Sequence, residues 1–85
     1  MVSQKVKDLI YRFNMFHYSA LEYLQLAYEE QEFLKIASEE DRDYYVQSGT
    51  GEGVYMVVSG ILMDNPELAL QFPDLDIKQY QPIVR

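Results

Sequence analysis

Apolar residues recur at helical spacing from the start of the chain: Val6, Leu9, Ile10, Phe13, His17, Ala20, Leu21, Leu24 and Tyr28 fall on i, i+3, i+4, i+7 positions. Followed literally, that stripe crosses two helices without a break. Ser19-Ala20-Leu21-Glu22 argues for a break, because S-x-x-E is a capping box and Tyr18 and Tyr23 stand where a hydrophobic staple belongs. The pattern therefore predicts a first helix, a tight corner over 14–19 and a second helix over about 20–37. One unbroken helix over about 3–37 is the alternative.

The second helix carries a broad apolar set. Leu21, Leu24, Ala27, Tyr28 and Leu34 share one face, and Tyr23, Leu26, Phe33 and Ile36 share the next. So wide a stripe must bury against more than one element, in this chain or in a partner. Ser38 followed by Glu39, Glu40 and Asp41 marks another N-terminus, with serine as cap and acids where the helix dipole favours them. This short helix runs to Gln47, and Gly49 takes the C′ position.

Val54 to Met63 has a strand-like composition, yet nothing else in the chain offers it a partner strand. A buried helix resolves this, with Thr50 as N-cap and Val54, Val57, Val58, Ile61 and Leu62 at helical spacing. Gly60 inside that helix is unfavourable by roughly 1 kcal/mol against alanine, which predicts close approach of another helix there. Asn65-Pro66-Glu67 restarts a short helix over Leu68 to Phe72. The expected fold is all-α: a small bundle of four to five short helices over 1–73, with an extended C-terminal tail over 74–85. The expected core is Leu9, Ile10, Phe13, Leu21, Leu24, Phe33, Leu34, Val57, Val58, Ile61 and Leu70. The tail would dock through Leu75, Ile77, Tyr80 and Ile83.

Composition narrows the function more than it names it. The 85 residues make one domain, which buries only about 60–65% of its unfolded surface. There is no cysteine, so disulfides and thiolate metal sites are excluded. No segment reads as a signal peptide, and the longest uncharged apolar run, 53–63, is far short of the ~20 residues that span a bilayer. A cytoplasmic protein with no membrane contact is expected.

The net charge is −7 and is unevenly placed. Residues 22–76 hold thirteen acids against Lys35 and Arg42, while Lys5, Lys7, Arg12, Lys78 and Arg85 lie outside that stretch. An acidic middle repels nucleic acid and anionic membranes, so neither is an expected partner. It suits a basic protein partner, or simply keeps a small domain in solution.

Candidate chemistry is thin. The run Gly49-Thr50-Gly51-Glu52-Gly53 suggests a phosphate loop, but a P-loop needs a following lysine and no basic residue lies between Arg42 and Lys78. Glu52 would repel a phosphate. The run is expected to cap one helix and free the turn into the next. His17, the sole histidine, has no nucleophile or second ligand at motif spacing. It is expected in the core or at an interface, where facing a second copy would make assembly pH-sensitive. Glu29 with Glu32, and Glu39 with Asp43, share helix faces and read as solvated acidic faces. No catalytic residue, metal site or cofactor is expected.

Eight tyrosines exceed what so small a core needs. Tyrosine is enriched at protein interfaces, and these lie among acids. Tyr11, Tyr18, Tyr23, Tyr28, Glu29, Glu32, Glu40, Tyr44 and Tyr45 are therefore the expected partner-binding residues. The leading expectation is a non-enzymatic interaction or regulatory module that self-associates, as a homodimer. The second is an acidic inhibitor of a basic or nucleic-acid-binding protein, such as an immunity protein, an antitoxin or a phage-encoded blocker. A small enzyme or metal carrier is the weakest.

Overall fold

In a computed structural model of the chain, residues 1–75 are described, and all regular structure among them is helical. Helix α1 covers Gln4–Met15, α2 Ala20–Ile36, α3 Glu39–Gln47 and α4 Thr50–Asp64, followed by a 3-10 helix over Pro66–Gln71. The part of the expected tail carried by Ile77, Tyr80 and Ile83 lies outside the described residues.

The corner is real. α1 ends in extended backbone at Phe16, and Ser19 opens α2 with the full capping box: Glu22 N–H donates to Ser19 Oγ at 3.3 Å, and Ser19 N–H donates to Glu22 Oε1 at 3.1 Å. That second bond holds the Glu22 carboxyl below its ordinary pKa. The Tyr18 and Tyr23 rings meet edge to face at 6.2 Å across the cap. The corner also removes His17 from the apolar stripe. It is exposed, not a core residue, because the helical spacing that placed it there stops at Met15.

α2 is the central helix, and its wide apolar set is divided between two cores. Leu24 and Ala27 pack with Val54, Val58 and Leu75; Leu26 and Phe33 pack with Val6, Leu9 and Tyr45. Of the expected core, Leu9, Leu24, Phe33 and Val58 are buried, and Ile10, Phe13, Leu34 and Ile61 are half-buried. Leu21, Val57 and Leu70 are exposed instead, Leu70 at 84%. Leu21 sits in the first turn of α2. Val57 lies about 60° around α4 from Val54 and about 100° from Val58. Leu70 points outward because a 3-10 turn places every third residue on one side.

The opening of α4 is built differently from a threonine cap. Gly49, at φ 75°, both ends α3 and stands at the N-cap position with no side chain to offer. Thr50 is buried, its hydroxyl accepting from Asn14 Nδ2 at 3.2 Å and from Ser48 Oγ at 3.0 Å. That pair ties the end of α1 to the α3–α4 turn. At Gly60 nothing among the described residues lies within 4 Å of the position a Cβ would take, so the expected close approach does not occur among them. The Asn65 side chain does not cap the 3-10 helix; its Nδ2 and its backbone N–H both donate back to Ile61 O, at 3.4 and 2.8 Å. Among the described residues, no helix is long and apolar enough to cross a membrane.

Candidate interaction surface

The expected partner-binding residues do not form one face. The structure divides them into three groups and removes one. At the α1–α2 corner, Tyr11 stacks edge to face on Phe16 at 5.7 Å, Phe16 meets Tyr18 at 6.4 Å, and Tyr23 tilts against Phe13 at 5.6 Å. Five rings thus line the corner, with Tyr11 and Phe16 the most exposed. The Tyr18 hydroxyl donates to Arg12 O at 3.0 Å, which fixes the corner's turn. Burial, and then the charge of Glu30, push the Tyr23 phenol up.

Along the outer side of α2, Glu29 pairs with Arg12 at 2.7 Å and Glu32 with Lys35 at 3.4 Å. The neighbouring Glu32 carboxylate raises the Tyr28 phenol. These pairs are half exposed and contribute at most about 1 kcal/mol each. On α3, Glu40 meets the Met1 amino group at 2.7 Å, and Tyr44 is exposed one turn further along.

Tyr45 is the correction. It is only 2% exposed and belongs to the core between α1, α2 and α3. Its hydroxyl donates to the carboxylate of Glu30, itself only 6% exposed. A buried carboxylate carries a desolvation penalty of several kcal/mol, which such donors offset. The ring lies against the backbone of Gly51: a Cβ there would sit 3.3 Å from Tyr45 Cε2. The glycines of GTGEG thereby separate by role, Gly49 for its left-handed backbone and Gly51 for the room it leaves the ring.

Sequence reasoning missed Glu30 and Asp41. Their signal was periodic. Leu26, Glu30 and Phe33 share a face of α2, and Asp41 and Tyr45 share a face of α3, so each acid rides on a buried stripe. Asp41 accepts from Ser3 N–H at 2.9 Å and from Ser3 Oγ at 2.6 Å, which clamps the start of α1 to α3 and pulls its carboxyl below the ordinary range.

Two further features flank α4. Gly53, Met56, Val57, Gly60 and Met63 are all exposed and lie on one side of it, at spacings of three and four over three turns. Met56 is 72% and Met63 68% exposed, and no charge falls between Glu52 and Asp64. Next to it, a cavity of about 340 Å³ opens between α2, α3 and α4, with Glu30, Tyr45, Glu52 and Tyr55 among its walls. Among the described residues, no group of three or more His, Asp or Glu side chains is placed to hold a metal ion.

The fold and these surfaces define an all-α domain with an aromatic corner, a buried carboxylate and an uncovered apolar helix face. In comparisons with known proteins, no family model, no curated protein and no solved structure matches the chain.

Proposed function

We propose that this chain is a non-enzymatic protein–protein interaction module of the cytoplasm that self-associates through α4. The observation that carries the reading is the stripe Gly53–Met56–Val57–Gly60–Met63. Apolar surface in water is unfavourable by about 25 cal/mol per Å², and this stripe matches the 3-4 spacing by which helices pair. Glycine inside a helix is also unfavourable by roughly 1 kcal/mol against alanine, and at Gly53 and Gly60 nothing among the described residues lies within 4 Å of where a side chain would start. A second α4 packed there would. Small residues at a contact let helix axes approach closely, while the two methionines adapt to the opposing surface.

The test is the mass of the protein in solution, followed by light scattering over a wide concentration range. The wild type is expected to dimerise, and Met56→Glu, which changes an exposed side chain, to remain a folded monomer. A wild type that is monomeric at every concentration removes the reading.

The acid-rich surface of α2 and α3 favours a second reading, an acidic inhibitor that blocks a basic protein. Salt separates the two. At about 0.5 M salt, charge is screened within a few Å, so apolar pairing survives and charge-led binding weakens strongly.

A further inference from the structure

We propose that the cavity between α2, α3 and α4 is a binding site for a guanidinium group, supplied by an arginine side chain of a basic protein partner. On α4 it is lined by Gly51, Glu52 and Tyr55, and Glu52 stands one turn before Met56 at the edge of the apolar stripe. The proposal develops the second reading and does not depend on self-association.

The walls select the ligand. Glu30 supplies a carboxylate that is more than nine-tenths buried, and Glu52 a second one nearer the mouth. Tyr45 and Tyr55 supply aromatic walls, and Leu34 and Val46 aliphatic ones. Two carboxylates repel any anion. A metal ion requires more oxygen ligands than two side chains provide. A purely apolar ligand would strip water from the carboxylates and return nothing. An organic cation with a flat, weakly hydrated body answers all three conditions. Guanidinium bonds carboxylates in a planar fork and lies well against tyrosine rings, which the compact, strongly hydrated ammonium of lysine does less well. The volume of about 340 Å³ is at the small end for ligand sites, the size for a side chain and not for a nucleotide.

Tyr45 makes the site pre-formed. Its hydroxyl holds Glu30 in place, and its ring is itself held against Gly51. A guanidinium entering the cavity meets a carboxylate whose ordering and desolvation were completed on folding, so less is lost on binding.

The same guanidinium could come from a free small molecule, and the test distinguishes the sources. N-acetylarginine amide and agmatine are titrated against the wild type and against Met63→Glu, whose new charge lies eleven residues along α4 from Glu52, with the ring protons of Tyr45 and Tyr55 followed by NMR. N-acetylcitrulline amide, of the same shape without the charge, is the control. Saturable shifts at both tyrosines are expected with the arginine amide, in the millimolar range of a single side chain, and equally in Met63→Glu. Tighter binding of the arginine amide than of agmatine assigns the source to a protein chain; the reverse assigns it to a free guanidino compound. Glu30→Gln is expected to weaken binding about thirtyfold, as loss of a buried charge partner does. Should Glu30→Gln fail to fold, Glu52→Gln serves, with about a threefold loss expected for a charge nearer solvent. Equal binding of the citrulline amide overturns the proposal, as does no saturable shift up to about 50 mM, well past that range. An affinity unchanged in Glu52→Gln overturns it too. A monomeric wild type that still binds the arginine amide would refute self-association alone.

Discussion

Substituting alanine at three glycines of one short segment should shift stability in different directions. At Gly60, in mid-helix, a methyl meets nothing within 4 Å among the described residues. Alanine there removes the glycine penalty and is expected to stabilise the monomer by about 1 kcal/mol. For a domain of this size that raises Tm by roughly 4–8 °C. At Gly49 the backbone sits at φ 75°, and alanine is destabilising by about 1–2 kcal/mol whatever the space around it. At Gly51 the helix gain, again up to about 1 kcal/mol, is opposed by a 3.3 Å contact with Tyr45 Cε2. That ring cannot move freely, because its hydroxyl is bonded to Glu30 and its face is in the core. The net effect expected at Gly51 is a loss. The assay is urea and thermal unfolding at the lowest protein concentration the signal permits, so that association does not add to stability. A destabilised Gly60→Ala would refute the reasoning, since it would mean that something in the monomer does occupy that space. At high concentration the same variant is expected to associate more weakly, because the added methyl holds paired helices apart.

Other substitutions test the two cores and the clamp between α1 and α3. Tyr45→Phe removes the donor to Glu30 and is expected to lower stability by about 2 kcal/mol, as for a hydrogen bond to a charged group; a urea midpoint that does not move would show that the carboxylate is held by other means. Leu24→Ala, at a side chain with no exposed surface, is expected to be destabilising by about 2–5 kcal/mol. Leu70→Ala, although also leucine in a helical turn, should change stability by less than about 0.5 kcal/mol. Asp41 ionises below the usual aspartate range when folded, so the unfolded chain takes up the proton first as pH falls. Its contribution to stability is full above the ordinary aspartate pKa of about 3.9 and is lost as pH drops through the lower folded value. Asp41→Asn and Ser3→Ala should each flatten the acid limb of a stability–pH curve; an unchanged limb would remove the clamp from the account.

What the sequence determined by itself was local. Capping chemistry within four residues marked the starts of α2 and α3 at Ser19 and Ser38, and Gly49 their boundary with α4. These signals are legible because cap and helix are neighbours in the chain, and so the all-α class and a corner over 14–19, in preference to one unbroken helix, followed from pattern; the structure carries α1 on to Met15 and narrows the corner to 16–19. Periodicity also foretold that α2 would bury against more than one element. Which residues of each wide stripe lie inside was decided only by tertiary packing. Val57 and Leu70 carry the same apolar character as Val58 and Leu24, and they are exposed because the packing of the described helices turns them away from the two cores. Tyr45 and Glu30 read as surface residues by type, and they are inside because α2 and α3 bring a hydroxyl to a carboxylate fifteen positions away, which offsets the burial of the charge. The partition of the tyrosines into a corner, an outer face and a core followed from the same cause: side-chain type sets what burial costs, while the crossing of helices sets which side chains are asked to bear it.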